Sequence, residues 1–248
     1  MNLVTFLILC LTILVQQSIC QKEAYKKHLC EHAHIRKYIV DRHNELRGQV
    51  KPAPNNMLKM EWNDQAAKTA LNVANKCEHA HSKADERQTD TFSCGENLYM
   101  SNRPYNWTRV IQSWYDEKKD FEHGVGAKSE DAIVGHYTQL VWYKSFQLGC
   151  ALSYCPKQNL GYFYVCHYCP AGNMKNSLHA PYEAGDTCGK CKHACNNGLC
   201  ENPCMYDDDV EGCAEYMEFC ESEEEDMDEE FKIKNICQET CNCDDEII

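Results

Sequence analysis

Apolar side chains recur at the three- to four-residue spacing of an amphipathic helix in three stretches of the first half of the chain. The pattern predicts helices over residues 34–47, 64–77 and 107–121, with Gly48 stopping the first and Asp64 capping the second. The apolar faces of these helices consist of Ile35, Tyr38, Ile39 and Leu46, of Ala66, Ala67, Ala70, Val73 and Ala74, and of Trp107, Val110, Ile111 and Trp114.

Two later stretches, residues 146–154 and 160–168, are rich in aromatic and aliphatic side chains and are separated by turn-forming residues 156–159. They predict a buried β-hairpin. After about Pro181 glycines and cysteines interleave, and no periodic segment is long enough to build a core. This last part of the chain must be held together by disulfides.

The beginning of the chain has the pattern of a targeting segment. The 13 residues 3–15 are almost all apolar, and Ser18 and Cys20 then place small residues three and one positions before a cleavage point. This pattern predicts a secretory signal peptide over residues 1–20. Because a bilayer-spanning helix needs about 20 apolar residues, we expect a secreted protein that does not span a membrane.

Cysteines make up 19 of the 248 residues, about 8%, which is near the level typical of a disulfide scaffold. Loss of the signal peptide removes two and leaves 17, an odd number. The pairs Cys166/Cys169 and Cys188/Cys191 also have the spacing of a zinc ribbon. Thiolate zinc sites belong mainly to reducing compartments, so we expect disulfides at these positions.

Charge is divided unevenly along the chain. Residues 201–248 carry 19 acidic side chains and two lysines, so the net charge of −13 divides into −17 here and +4 in the preceding 200 residues. This balance argues against binding to nucleic acid or to anionic membranes and favours two separate modules. Eight acids fall within residues 221–230, where we expect a solvated, mobile loop.

Four polar residues near the predicted elements could carry chemistry, namely His81, Glu96, Glu117 and His136. Two imidazoles and two carboxylates can bind zinc or exchange protons if they converge. Their separations in sequence are too wide for a local motif, so spacing leaves open whether they form a site or are ordinary surface groups.

Weaker candidates are two His-Ala-His segments, residues 32–34 and 79–81, whose alternate histidines would share one face of a strand. Asn106 begins an Asn-Trp-Thr sequon, and we expect it to be glycosylated in a secreted chain.

Two long segments, residues 135–145 (GHYTQLVWYKS) and 163–174 (FYVCHYCPAGNM), resemble the two signatures of vertebrate cysteine-rich secretory proteins of the CAP superfamily. The resemblance covers nearly the whole mature chain. Further matching blocks are residues 41–47 (DRHNELR), 56–60 (NMLKM), 94–98 (CGENL) and 114–117 (WYDE).

The resemblance implies an α+β fold, a three-layer α-β-α CAP sandwich followed by a disulfide-rich hinge and a small helical module similar to channel-blocking toxins. The implied divisions are a signal peptide (1–20), the CAP domain (21–184), the hinge (185–203), the cysteine-rich module (204–243) with the acidic insertion 221–230, and a tail (244–248).

The resemblance also implies a disulfide pairing that leaves Cys30 without a partner. Cys30 would then stay free, be capped by a small thiol or link two molecules as a disulfide-bonded dimer. The implied pairs are Cys77–Cys155, Cys94–Cys169, Cys150–Cys166, Cys188–Cys195, Cys191–Cys200, Cys204–Cys243, Cys213–Cys237 and Cys220–Cys241.

Family members are secreted binders, mostly without enzymatic activity. They modulate ion channels or cell-surface receptors, as gland and venom secretions or as reproductive-tract proteins on sperm that take part in gamete interaction. The positions matched by His81, Glu96, Glu117 and His136 line an open cleft in the family, where the histidines hold zinc or another divalent cation.

Two alternatives remain, a zinc-assisted hydrolase with Glu96 or Glu117 as base and a carrier of sterol or lipid. The cysteine-rich module and its tail, residues 204–248, are called the end module below. Its only basic residues are Lys232 and Lys234, whereas a toxin that plugs a cation-selective pore presents positive charge to it. The acidic run would instead contact a basic receptor patch, bind calcium loosely or only keep the module soluble.

Overall fold

The computed structural model describes residues 12, 25–206, 208, 212–220, 232–243 and 246–247 of the chain. The predicted signal peptide, apart from residue 12, and the acidic insertion 221–230 lie outside these described residues.

The helices predicted from apolar spacing are present, with different ends. The first runs through Gly48 rather than stopping before it, because Gln49 keeps a right-handed conformation and its N–H bonds to the carbonyl of Leu46. The second is capped by Asn63, whose side chain accepts the N–H of Ala66, and not by Asp64. The described α-helices are α1 (Ala33–Gly48), α2 (Asp64–Lys76), α3 (Trp107–Tyr115), α4 (Gly135–Leu140), α5 (Ile233–Ile236) and α6 (Gln238–Asn242).

The third predicted helix is shorter than its apolar pattern suggested. After α3 the chain tightens into a 3₁₀ helix, Asp116–Asp120, before it becomes extended at Phe121. The apolar face of α3 ends with Trp114 and Tyr115, and the following turn has no buried residue to hold it in α-helical form. Further 3₁₀ helices span Ala84–Glu86, Lys175–Ser177 and Cys213–Phe219.

A four-stranded sheet lies at the centre, with strand order β1-β5-β6-β2. The predicted hairpin is confirmed, since β5 and β6 pair antiparallel, and β2 adds antiparallel to the free side of β6. β1 pairs parallel with β5 at the opposite edge. The strands are β1 (Glu61–Trp62), β2 (Gly95–Ser101), β3 (Phe121–Glu122), β4 (Gly126–Ala127), β5 (Gln147–Tyr154), β6 (Tyr162–Cys169), β7 (Cys195–Asn196) and β8 (Leu199–Cys200).

Helices cover both faces of this sheet, which gives the expected three layers. Alternate side chains of a strand point to opposite faces, so Leu148 and Leu152 of β5 pack in one core with α1 and α3, and Ala151 packs in another with α2. The small-residue face of α2 lies very close to β5, because a Cβ on Gly149 would be 2.0 Å from the backbone nitrogen of Ala67.

Eight disulfides join cysteines among the described residues, and they are the pairs that the resemblance implies. The zinc-ribbon spacing was misleading, because Cys166, Cys169, Cys188 and Cys191 are each bonded to another cysteine and offer no thiolate.

The sandwich and the end module touch one another, although the charge division suggested separate units. Ile247 is 4% exposed and packs in a cluster with Leu58 and Phe146 of the sandwich. Lys144 donates to Glu239 of α6 at 2.6 Å, with both side chains largely buried. None of the described helices has the length and apolar character needed to cross a membrane.

Candidate functional site

Two of the four candidate residues, His81 and Glu96, form a pair at the edge of the sheet. Glu96 lies on β2, and its side chain is 1% exposed, whereas that of His81 is 64% exposed. His81 Nδ1 lies 2.8 Å from Glu96 Oε1. Because an ionised carboxylate only accepts, the Nδ1 atom of His81 carries the proton and Nε2 keeps the lone pair that a metal ion would bind.

Glu96 is a buried carboxylate that remains ionised. Burial opposes its charge, but hydrogen bonds from His167, from His81 and from Ser82 outweigh burial and hold the pKa of Glu96 well below its usual range. Ser82 contributes both its N–H at 3.0 Å and its hydroxyl at 2.8 Å. A carboxylate satisfied in this way orients His81 but is a weak proton acceptor.

The other two candidate residues, Glu117 and His136, form a pair at the start of α4. Glu117 Oε1 lies 2.6 Å from His136 Nδ1, and Oε2 accepts the backbone N–H groups of His136 and Tyr137 at 2.9 and 3.1 Å. The carboxylate therefore caps the first turn of α4 and fixes the ring of His136 at once. The ring of Trp114 lies parallel to the imidazole, with centroids 6.4 Å apart.

The two pairs approach the edge strand β2 from opposite sides. Glu96 points to the face covered by α2, and its neighbour Asn97 points to the other face, where its Nδ2 donates to the carbonyl of His136 at 3.0 Å. Gly95 allows this close approach, because a Cβ there would fall 1.9 Å from Gln139 Oε1 of α4. The four residues thus form two histidine–carboxylate pairs, one on either side of β2.

The donor chemistry of the pairs fits a divalent cation. A histidine that binds a metal almost always donates its other ring N–H to a carboxylate, a carbonyl or water, and His81 and His136 both do so. Among the described residues, however, no group of three donors that includes them lies within 4.8 Å. A cation held by the two histidines would need water or another ligand to complete its shell.

Sequence reasoning missed His167, which holds Glu96 from the other side. It is fully buried on β6, and its Nε2 lies 3.0 Å from Glu96 Oε2. The signal that could have found it is the register of two strands, because Glu96 and His167 are directly opposite each other.

The other histidines of the two His-Ala-His segments do not join this site through any described contact. The rings of His32 and His34 stack on each other at the start of α1, and His79 packs against Phe163. Asn106 is exposed and caps α3 by accepting the N–H of Arg109, which leaves its amide nitrogen for a glycan.

Cys30 is the free cysteine of the described chain and is partly buried. Burial raises the pKa of its thiol, although the Arg36 charge acts in the opposite direction. Because the thiolate is the reactive form, this position is poorly suited to forming a bond with a second molecule.

Two family models match successive parts of the chain. The model described as "Cysteine-rich secretory protein family", of the CAP type, matches residues 40–168, and the Crisp model matches residues 188–248. An α/β CAP sandwich is therefore followed by a Crisp module. The chain belongs to the cysteine-rich secretory protein family.

Two relatives and one solved structure support the assignment. The chain is 46% identical to human (Homo sapiens) Cysteine-rich secretory protein 2, over 90% of each chain. It is 53% identical to horse (Equus caballus) Cysteine-rich secretory protein 3 over 70% of this chain and 71% of the relative. The crystal structure of NaASP2 with Zn²⁺ is similar to it with a TM-score of 0.58 at 30% identity, covering 68% of this chain and 96% of NaASP2.

Proposed function

We propose that the chain is a secreted binding protein that modulates ion channels or cell-surface receptors, with a divalent cation such as zinc held at His81 and His136. It would act as a reproductive-tract protein on sperm or as a gland secretion. The proposed division keeps the CAP domain at 21–184, the hinge at 185–203 and the cysteine-rich module at 204–243. The names of both relatives describe secretory proteins and support this reading.

The cation site rests on one observation, the engagement of Nδ1 of each histidine by its own carboxylate. This arrangement prepares two Nε2 atoms as ligands without any further change of tautomer. A relative whose sandwich was crystallised with Zn²⁺ supports the same cation for this chain.

The test is zinc titration of the secreted mature chain by calorimetry. We expect His81→Ala and His136→Ala each to weaken zinc binding by about tenfold or more, because each removes one of two histidine ligands. His193→Ala changes an exposed histidine of the hinge and serves as the control. Wild-type protein that binds no zinc, or variants that bind as it does, would overturn the cation site.

We propose no catalytic activity for this site. A zinc hydrolase would need a carboxylate that accepts a proton from bound water. The low pKa of Glu96 makes it a poor base, and both oxygens of Glu117 are already engaged by His136 and Tyr137. Hydrolysis by the zinc-loaded wild type that disappears in His136→Ala would contradict this reading.

The partner-binding surface is proposed to lie on the end module. Among its described residues, the exposed large apolar side chains, at 44–58% exposure, are Met205, Tyr206, Tyr216 and Met217. Half-exposed tyrosine and methionine side chains are typical of contact surfaces. The acidic run of residues 221–230 would add affinity for a basic patch on the partner.

The test applies the whole mature chain to cells that express calcium or potassium channels while currents are recorded. A variant with the acids of residues 221–230 changed to their amides should lose the effect if the run contacts a basic patch. The matched control changes Glu130 and Asp131, which are exposed on the sandwich. If the wild type changes no current, the proposal of channel modulation is rejected. Receptor binding on cells is then tested with the same variants.

A further inference from the structure

Glu96 receives a hydrogen bond on each oxygen from a different histidine, and only one of these histidines faces solvent. Oε1 lies 2.8 Å from His81 Nδ1, and Oε2 lies 3.0 Å from His167 Nε2. The side chain of His167 has no exposure, against 64% for that of His81. His167 therefore contacts the carboxylate from inside the protein and cannot itself reach a cation in the solvent-facing part of the site.

The ring of His167 is fixed on both sides. It lies directly opposite Glu96 in the register of β2 and β6, and its Nδ1 is 2.8 Å from the hydroxyl of Thr69 on α2. The sheet and the helix thus hold the imidazole in one orientation, with Nε2 aimed at Glu96. A partner fixed in this way can set the orientation of a side chain that contacts it.

The orientation of Glu96 decides which nitrogen of His81 carries the proton. With Oε2 occupied by His167 and by the Ser82 hydroxyl, Oε1 is turned towards His81 Nδ1. Without His167, Oε2 keeps only the bond from the Ser82 hydroxyl, so the carboxylate can rotate and the bond to His81 weakens. Neutral His81 would then carry its proton on Nε2 in part of the molecules, where it blocks the metal-binding lone pair.

We propose that His167 is a positioning residue for the cation site: through Glu96 it holds His81 in the tautomer whose Nε2 is free to bind a divalent cation. The proposal rests on the cation site of the proposed function. It assigns His167 no contact with the cation.

Substitutions of His167 can distinguish the effect of its hydrogen-bond donor from the effect of the space that its ring fills. The amide of His167→Gln can donate to Glu96 and accept from Thr69, so we expect it to behave as the wild type. His167→Leu and His167→Met fill the space without a donor, and the second is included because flexible methionine fits altered cores more readily. His193→Gln, in the exposed hinge, is the control.

The first measurement uses metal-free protein and long-range ¹H–¹⁵N spectra of the histidine rings at pH 8. We expect wild type and His167→Gln to show His81 protonated at Nδ1, and the leucine and methionine variants to show a rise of the Nε2-protonated form. A wild-type His81 already protonated at Nε2 would overturn the proposal without any variant. So would a folded leucine or methionine variant with an unchanged His81 spectrum.

The second measurement is calorimetric titration with zinc ion alone. We expect about tenfold weaker zinc binding in the donor-less variants and unchanged binding in His167→Gln, in line with the usual effect of losing a partner of a metal ligand. Donor-less variants that bind zinc as tightly as the wild type would overturn the role in cation binding. If the wild type binds no zinc, the cation site fails, whereas the tautomer spectra still decide whether His167 positions His81.

Discussion

The burial of His43 predicts that the folded protein loses stability in mild acid. It is fully buried on α1, with Nδ1 2.8 Å from the carbonyl of Ile39 and Nε2 3.0 Å from the hydroxyl of Tyr168. The neutral ring satisfies both contacts, donating to Ile39 and accepting from Tyr168. Asn97 already donates to the same hydroxyl. A proton added to Nε2 of His43 would therefore have to be donated to an oxygen that already accepts a hydrogen bond.

The size of this loss of stability follows from the pKa of His43. Burial lowers it from 6.5 to about 4, with Arg47 and Arg42 acting in the same direction and the bond to Ile39 opposing them. Because the unfolded state binds the proton first as pH falls, this stability is complete above pH 6.5 and is lost between 6.5 and about 4. The loss from this group is about 2 kcal/mol at about pH 5 and about 3 kcal/mol at about pH 4.

The assay is urea unfolding with the disulfides intact, at about pH 7.5 and about pH 5, where Glu96 does not yet titrate. His43→Phe should be less stable at the higher pH but should lose about 2 kcal/mol less than the wild type on acidification. His34→Gln, on the exposed side of the same helix, should follow the wild type. If His43→Phe loses as much stability as the wild type between the two values, the reasoning is refuted.

Three further predictions concern other parts of the chain. Ile247→Ala should lower the free energy of unfolding by about 2 kcal/mol because Ile247 packs against the sandwich, and exposed Ile133→Ala should change it by less than about 0.5 kcal/mol; equal losses would contradict that packing. Cys30 should react slowly with a thiol reagent in the folded protein and give a monomer on non-reducing electrophoresis, so a dimer band that reduction removes would contradict its burial. Protein secreted from eukaryotic cells should lose mass on glycosidase treatment, and Asn106→Gln should not; an unchanged wild-type mass would show that the sequon is unused.

Apolar spacing predicted α1, α2, α3 and the hairpin because each is defined by contacts between near neighbours in sequence. Their ends depend on more distant groups. Asn63 rather than Asp64 caps α2, since the Asn63 side chain also donates to Gln147 of β5 at 3.0 Å. No local rule separates two adjacent residues that are both good caps.

The candidate site was less accessible from sequence for a related reason. His81, Glu96, Glu117 and His136 were candidates because of their residue types and their positions near predicted elements, but only the resemblance placed them in one cleft, because their spacing carries no local signal. His167 was missed although its strand was predicted, since its role depends on the pairing of that strand with β2, which the pattern did not predict. Two side chains facing each other across a sheet are specified by register, and register is a property of the whole fold.

A short segment of the chain lies between the proposed cation site and the residue that contacts the end module. His136 lies on α4, and Lys144, which contacts Glu239 of the end module, follows closely in sequence. Between them, the buried guanidinium of Arg47 donates to the carbonyls of residues 140, 142 and 143 at 2.8–3.0 Å. These carbonyls have a fixed partner, so the segment cannot shift locally without leaving buried polar groups unsatisfied. Arg47 therefore holds α4 and Lys144, which contacts Glu239, in a fixed position relative to each other.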